Sequence, residues 1–112
     1  MTDYKMVTPN EADCLRNAIR TSPVSVAVQA STWHFKLYSG GIIRTEKCGT
    51  KVDHNLAAVG YGSVDGTVSF YLLKNSWGQH WGYDGGFVRI AVQEDGPGFC
   101  GVQTQPIEVK TD

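Results

Sequence analysis

Val52-Asp53-His54-Asn55-Leu56-Ala57-Ala58-Val59-Gly60-Tyr61-Gly62 is the stretch on which the fold turns. A histidine opens an apolar run with the make-up of a strand, Asn55 to Gly60, and the run ends in a glycine turn. A second strand is predicted over Val68 to Lys74, after Asp65-Gly66, a dipeptide that favours a tight hairpin. It leads directly into Asn75-Ser76-Trp77-Gly78-Gln79-His80-Trp81-Gly82. If the two strands pair, His54 at the start of one comes close to Asn75 at the end of the other, and their side chains can hydrogen-bond.

Such a pair suits a base whose tautomer must be fixed. A carboxamide oxygen accepting from one ring N–H leaves the other nitrogen to face a nucleophile, and unlike an aspartate it adds no charge. Trp77 can cover the bond and strengthen it by lowering the local dielectric. On spacing alone, a histidine beside an asparagine in an antiparallel pair is more often structural than catalytic.

Working outward, Thr8-Pro9-Asn10-Glu11 has the form of a helix start, with a capping threonine, a proline preformed for the first turn and a glutamate able to reach back. Ala12, Leu15, Ala18 and Ile19 recur at helical spacing, and Pro23 closes the segment, which predicts one amphipathic helix over about residues 9–20. The period then changes. Val24, Val26 and Val28 alternate with Ser25, Ala27 and Gln29 as in a half-buried strand, and further strands are predicted over Phe87 to Val92 and Ile107 to Lys110. The fold class is α+β, mostly β, with one leading helix packed on an antiparallel, barrel-like sheet.

The 112 residues, 41% of them hydrophobic, suit one domain with one core. Ten basic and eleven acidic residues, with no block of one sign, give no reason to expect nucleic acid or membrane as a partner. No apolar run is long enough to span a bilayer, and Met1-Thr2-Asp3-Tyr4-Lys5 lacks the apolar centre of a secretory signal, so any targeting information is expected outside this chain. Of the cysteines Cys14, Cys48 and Cys100, one is left over if two pair. There is no CxxC or HExxH motif, so a metal site built from His34, His54, His80 and a cysteine has poor spacing, and no cofactor is expected.

In order along the chain, Pro23-Val24-Ser25-Val26, Leu37-Tyr38-Ser39-Gly40-Gly41-Ile42, Cys48-Gly49, Asp53-His54, Val59-Gly60-Tyr61-Gly62, Lys74-Asn75-Ser76-Trp77-Gly78 and Phe99-Cys100-Gly101 resemble the papain-like cysteine proteases over nearly the whole length. The resemblance is to their C-terminal, right-hand domain, so residues 1–112 are expected to be that half, without the N-terminal, cysteine-bearing half. Met1, just ahead of a segment that the family builds as a strand, points to a start made in the laboratory.

The resemblance implies a cysteine endopeptidase in which His54 pairs with a thiolate and protonates the leaving amine, Asn75 orients the ring and Trp77 shields both. It implies a disulfide between Cys48 and Cys100, and with it a lysosomal, vacuolar or extracellular location. Ala27, Asn55 and Gln105 match positions that form the pocket for the side chain two residues before the scissile bond. Two amides there depart from the family's usual taste for bulky apolar groups. Asp53 and Trp77 match the leaving-group side, which Trp33 and His34, on the loop after the first strand, are placed to reach. Cys14 shares no motif with the nucleophile and reads as a packing residue.

Two departures matter. Tyr83-Asp84-Gly85-Gly86 is one residue longer than the common spacing. No CGSCW-type segment is present, nor the glutamine that helps hold the oxyanion. Acyl transfer needs a nucleophile, so the chain alone is expected to be inactive, with the cysteine-bearing half and a peptide or protein substrate as its partners. Its uncovered inter-domain face is expected to promote self-association. The alternative is a non-catalytic binding module derived from the same domain.

Overall fold

Val24, Val26 and Val28 point to one face of their strand and Ser25 and Ala27 to the other. In the computed structural model, which describes residues 2–64, 68–78, 80–82, 85–94 and 96–111, this strand lies inside a six-stranded sheet. The elements in chain order are β1 (Thr2–Met6), α1 (Ala12–Thr21), β2 (Val24–Val28), α2 (Trp33–Lys36), β3 (His54–Val64), β4 (Val68–Lys74), β5 (Phe87–Ala91) and β6 (Ile107–Thr111). Short 3-10 turns lie at Glu46–Cys48 and Phe99–Gly101. The strand order is β1-β6-β2-β3-β4-β5, with every neighbouring pair antiparallel.

The core gathers Val24, Val26 and Val28 with Leu56, Ala58, Tyr71, Leu73, Val88 and Ile90, and α1 adds Leu15 and Ile19. Each large aliphatic side chain buried there contributes roughly 1.5–3 kcal/mol. The fold is the expected one, mostly strands in one antiparallel sheet with a helix laid on it.

Three boundaries differ from the sequence expectation. α1 starts at Ala12 rather than at residue 9, and Glu11, not Thr8, is its N-cap, without a side-chain capping bond. Asn10 takes a left-handed φ of 63°, which asparagine tolerates, while its N–H donates to Gln103 O and its carbonyl accepts from Gly96 N. These backbone bonds hold Pro9-Asn10 in a turn and delay the helix. Second, β3 does not end in a glycine turn but runs on to Val64. Its register with β4 shifts between Ala58 and Gly60, so Gly60 marks an irregularity within the strand. Gly62 lies so close to Phe70 that a Cβ there would come within 3.0 Å of the ring. Third, β1 is a strand that alternation did not predict; it pairs with β6 over Thr2↔Thr111 to Met6↔Ile107. The Asp65-Gly66 turn lies outside the described residues, as do Tyr83 and Asp84 of the longer loop.

The end of β2 and the start of β3 are tied down from several sides. Cys48 and Cys100 are joined by a disulfide across 52 positions, and both are buried. Gln29 N donates to Cys100 O at 2.7 Å, Lys51 N to Gln29 Oε1 at 2.8 Å, and Asp53 N to Val28 O at 2.9 Å. Gly101, at a φ of 74°, passes so close to Val52 that a Cβ would sit 2.8 Å from its side chain. The consequence is a fixed approach to His54.

Candidate active site

His54 is the first residue of β3, opposite Val28 of β2, and Asn75 directly follows β4. With Ala57 opposite Lys74, the two side chains emerge at the same end of the strand pair. His54 Nε2 lies 2.8 Å from Asn75 Oδ1. The same oxygen accepts from Ser76 N at 2.8 Å, which identifies it as the carbonyl end of the amide. A carbonyl oxygen only accepts, so Nε2 carries the hydrogen, and in the neutral ring Nδ1 keeps the lone pair. Asn75 is held in turn by its own N–H, which donates to Gly86 O at 3.0 Å, and it is only 3% exposed. His54 is half-buried.

Trp77 covers the pair, with its ring centroid 5.1 Å from that of His54 and the planes tilted by 30°. It stands on a base that sequence reasoning missed. Phe35 of α2 meets Trp77 edge-on at 5.5 Å and stacks on Trp81 at 5.0 Å, and Trp81 meets Trp77 edge-on at 5.3 Å. Trp81 Nε1 donates to Lys36 O at 3.1 Å, locking α2 to the segment after β4. Aromatic residues at 35, 77 and 81 were the available signal, but no periodicity links positions so far apart.

Asp53 is exposed and turns Oδ1 to Ala30 N at 2.8 Å. Ala27, Asp53, Asn55 and Gln105 meet beside the imidazole, lining with Val52 and His54 a hollow of about 220 Å³. Asn55 faces Ala27 across the β2–β3 ladder. Both amides are exposed, and neither has a hydrogen-bond partner among the described residues. Trp33 and His34 belong to the short helix α2 rather than to a loop and point into solvent; Phe35 of the same turn reaches Trp77. Cys14 lies on α1, half-buried against the core.

A positioned imidazole with a free Nδ1 lone pair, a fixed tautomer and a roof against water can take a proton from a thiol or hydroxyl and return it to a leaving group. A family model described as papain family cysteine protease matches residues 1–109. The cysteine endopeptidase RepA of Oryza sativa subsp. japonica is 42% identical over 101 residues, 88% of this chain and 26% of that protein. Papaya proteinase 4 of Carica papaya is 46% identical over 97 residues, 86% of this chain and 27% of its own length. The structure of the bromelain protease from Ananas comosus superposes with a TM-score of 0.89 at 30% identity, covering 97% of this chain and 50% of that one.

Proposed function

Because the chain belongs to the papain family of cysteine proteases, we propose that it is the C-terminal, histidine- and asparagine-bearing half of a cysteine endopeptidase, inactive until a cysteine-bearing half joins it. The observation that carries this reading is the 2.8 Å bond from His54 Nε2 to Asn75 Oδ1 beneath Trp77, which leaves Nδ1 for a sulfur. In the mechanism, His54 Nδ1 takes the proton of the incoming thiol, the thiolate adds to the substrate carbonyl, and the imidazolium returns the proton to the leaving amine. Water then releases the acyl group by the same route. Asn75 holds the ring through both proton transfers. Trp77 keeps the Nε2 bond dry.

The substrate is a peptide or protein lying across the hollow of Ala27, Asn55 and Gln105, with its leaving-group side toward Asp53 and Trp77. Two unpartnered amides favour a side chain that hydrogen-bonds over a wholly apolar one, since an apolar occupant strips their water and returns no bond. The docking face for the other half runs along β2 and β3. A shallow depression of about 410 Å³, lined by Pro23, Val24, Ser25, Asn55, Leu56 and Ala57, continues from the hollow through Asn55. Uncovered, this face favours self-association. The Cys48–Cys100 disulfide supports a lysosomal, vacuolar or extracellular setting.

The test is complementation. This chain is mixed with the cysteine-bearing half of a family member and treated with a thiol-directed active-site probe. Labelling of the mixture, absent from either half alone, is expected. A mixture that associates yet never labels points instead to a binding module.

A further inference from the structure

A second large hollow among the described residues lies far from the imidazole. It is an open trough of about 550 Å³ between α1 and the distal parts of β3 and β4. Its nearest strand residue, Tyr61, stands seven positions along β3 from His54, about 23 Å at the usual strand rise. Nothing in the proteolytic reading uses it.

One wall is the face of α1 that presents Asp13, Arg16, Asn17 and Arg20. Asp13 takes Arg16 as its ion-pair partner, so that charge is already answered. Arg20 differs. It has no carboxylate partner among the described residues, and its Nε donates to the Tyr61 hydroxyl at 3.1 Å. This bond fixes the plane of the guanidinium while leaving both terminal amino groups for a ligand, the geometry in which arginine grips an oxyanion with two parallel bonds.

The opposite wall is mixed. Tyr61 is 41% exposed, with its ring steadied by the same bond to Arg20. Phe70 forms part of the floor, held between Gly62 and the Arg89 guanidinium, which lies 5.2 Å from its ring centre. Ser63 and Ser69, opposite one another in the β3–β4 ladder, line the trough with hydroxyls, and Asn17 adds an amide from the helix.

We propose that this trough binds an acidic saccharide, its carboxylate or sulfate ester on Arg20 and its ring against Tyr61. The volume falls in the range of small-molecule sites, about 300–1,000 Å³, and is far more than an inorganic ion fills. Hydroxyls and an amide that both donate and accept are the complement of a polyol. An aromatic face beside them suits the C–H face of a sugar ring. The single uncompensated guanidinium selects for one acidic group.

Calorimetric titration of the chain at low salt tests this with a trisaccharide carrying a single galacturonate residue, a trisaccharide carrying a single sulfate ester, the neutral counterpart of each, and inorganic sulfate. Either acidic sugar is expected to bind at least tenfold more tightly than its neutral counterpart and than sulfate, and to weaken as salt rises. Arg20→Gln should lose about tenfold, the scale of one charge-assisted bond. Tyr61→Phe, which unfastens Arg20, should lose less. If Arg20→Gln compromises folding, amide shift changes in the unaltered chain on adding the sugar should centre on Asn17, Ser63 and Ser69. The proposal is overturned if neither acidic sugar binds, if a neutral counterpart or sulfate binds as well, if a folded Arg20→Gln binds undiminished, or if the shifts centre elsewhere. None of these outcomes depends on peptidase activity, so the proteolytic reading stands or falls separately.

Discussion

Two side-chain hydrogen bonds of equal length do different work in this molecule. Tyr71 donates to Gln103 Oε1 at 2.8 Å in the sealed core, and His54 meets Asn75 Oδ1 at the same distance on a half-open edge. Tyr71 and Gln103 have no residual exposure to speak of, and Gln103 uses its other end to donate to Gly96 O at 3.0 Å. Their polar groups are consumed in holding β4 to the segment before β6. The His54–Asn75 bond consumes one ring nitrogen and leaves the other. The difference is one of unused valence, which is costly in a core and which the proposed chemistry requires.

The largest expected effect comes from breaking the open pair. In the complemented enzyme, His54→Ala should lower peptide hydrolysis by about 10²–10⁴-fold, the scale of removing a general acid–base group. Asn75→Ala keeps the imidazole but frees its ring and tautomer, so the loss should be smaller, about 10²-fold or less. At the half-buried His54 site the melting transition should move by no more than the equivalent of about 1 kcal/mol. Steady-state rates beside thermal melts separate the two quantities. A His54→Ala enzyme with unreduced turnover ends the proposed mechanism.

Breaking the sealed pair should do the reverse. Tyr71→Phe leaves Gln103 Oε1 buried without its donor, at a cost of about 1–3 kcal/mol in denaturant unfolding and little direct effect on turnover. Burial pushes the Tyr71 hydroxyl well above the ordinary phenol range, against the lowering pull of the Arg16 guanidinium. The folded chain therefore keeps a proton that the unfolded chain gives up above about pH 10. Stability is full below that value and falls as pH rises past it, because the unfolded state binds fewer protons there. Tyr71→Phe should flatten this alkaline decline. Unfolding curves between about pH 9 and 11 would show an unchanged slope if the phenol were not its source.

The two regions were also unequally legible in the sequence. The open pair was readable because each partner ends a strand, so pairing β3 with β4 was enough to bring His54 to Asn75. The pocket residues needed the family resemblance, since Gln105 lies about fifty positions beyond Asn55 and no local pattern joins them. The Tyr71–Gln103 bond left no trace, because a tyrosine in a strand looks the same whether its hydroxyl meets water or an amide. The helix start was misjudged for a similar reason. Thr8-Pro9 carries every local mark of a cap, but backbone bonds from Asn10 to Gln103 and Gly96, remote in sequence, decide the matter. Local chemistry gave most of the elements and the pairing of β3 with β4, whereas non-local hydrogen bonds set the boundaries.

Trp77 offers the finest adjustment, because it controls how far the open pair resembles the sealed one. Its ring lies over His54 yet is itself 41% exposed, so the shelter it gives is partial. Trp77→Phe should keep an edge-on contact with Phe35 but shorten the roof, letting water compete for the Nε2–H bond. Competition of that kind weakens the bond without removing it, so the expected loss is a few-fold, about 0.5–1 kcal/mol, near the ordinary net worth of one hydrogen bond. The rate of thiol-probe labelling in the complemented enzyme measures it, with Asn75→Ala as the reference. Once Asn75 is replaced there is no bond left to shelter, so adding Trp77→Phe to Asn75→Ala should cost almost nothing further. A double variant that loses the full product of the two single effects would mean that Trp77 acts on something other than this bond, such as the leaving-group side of the substrate.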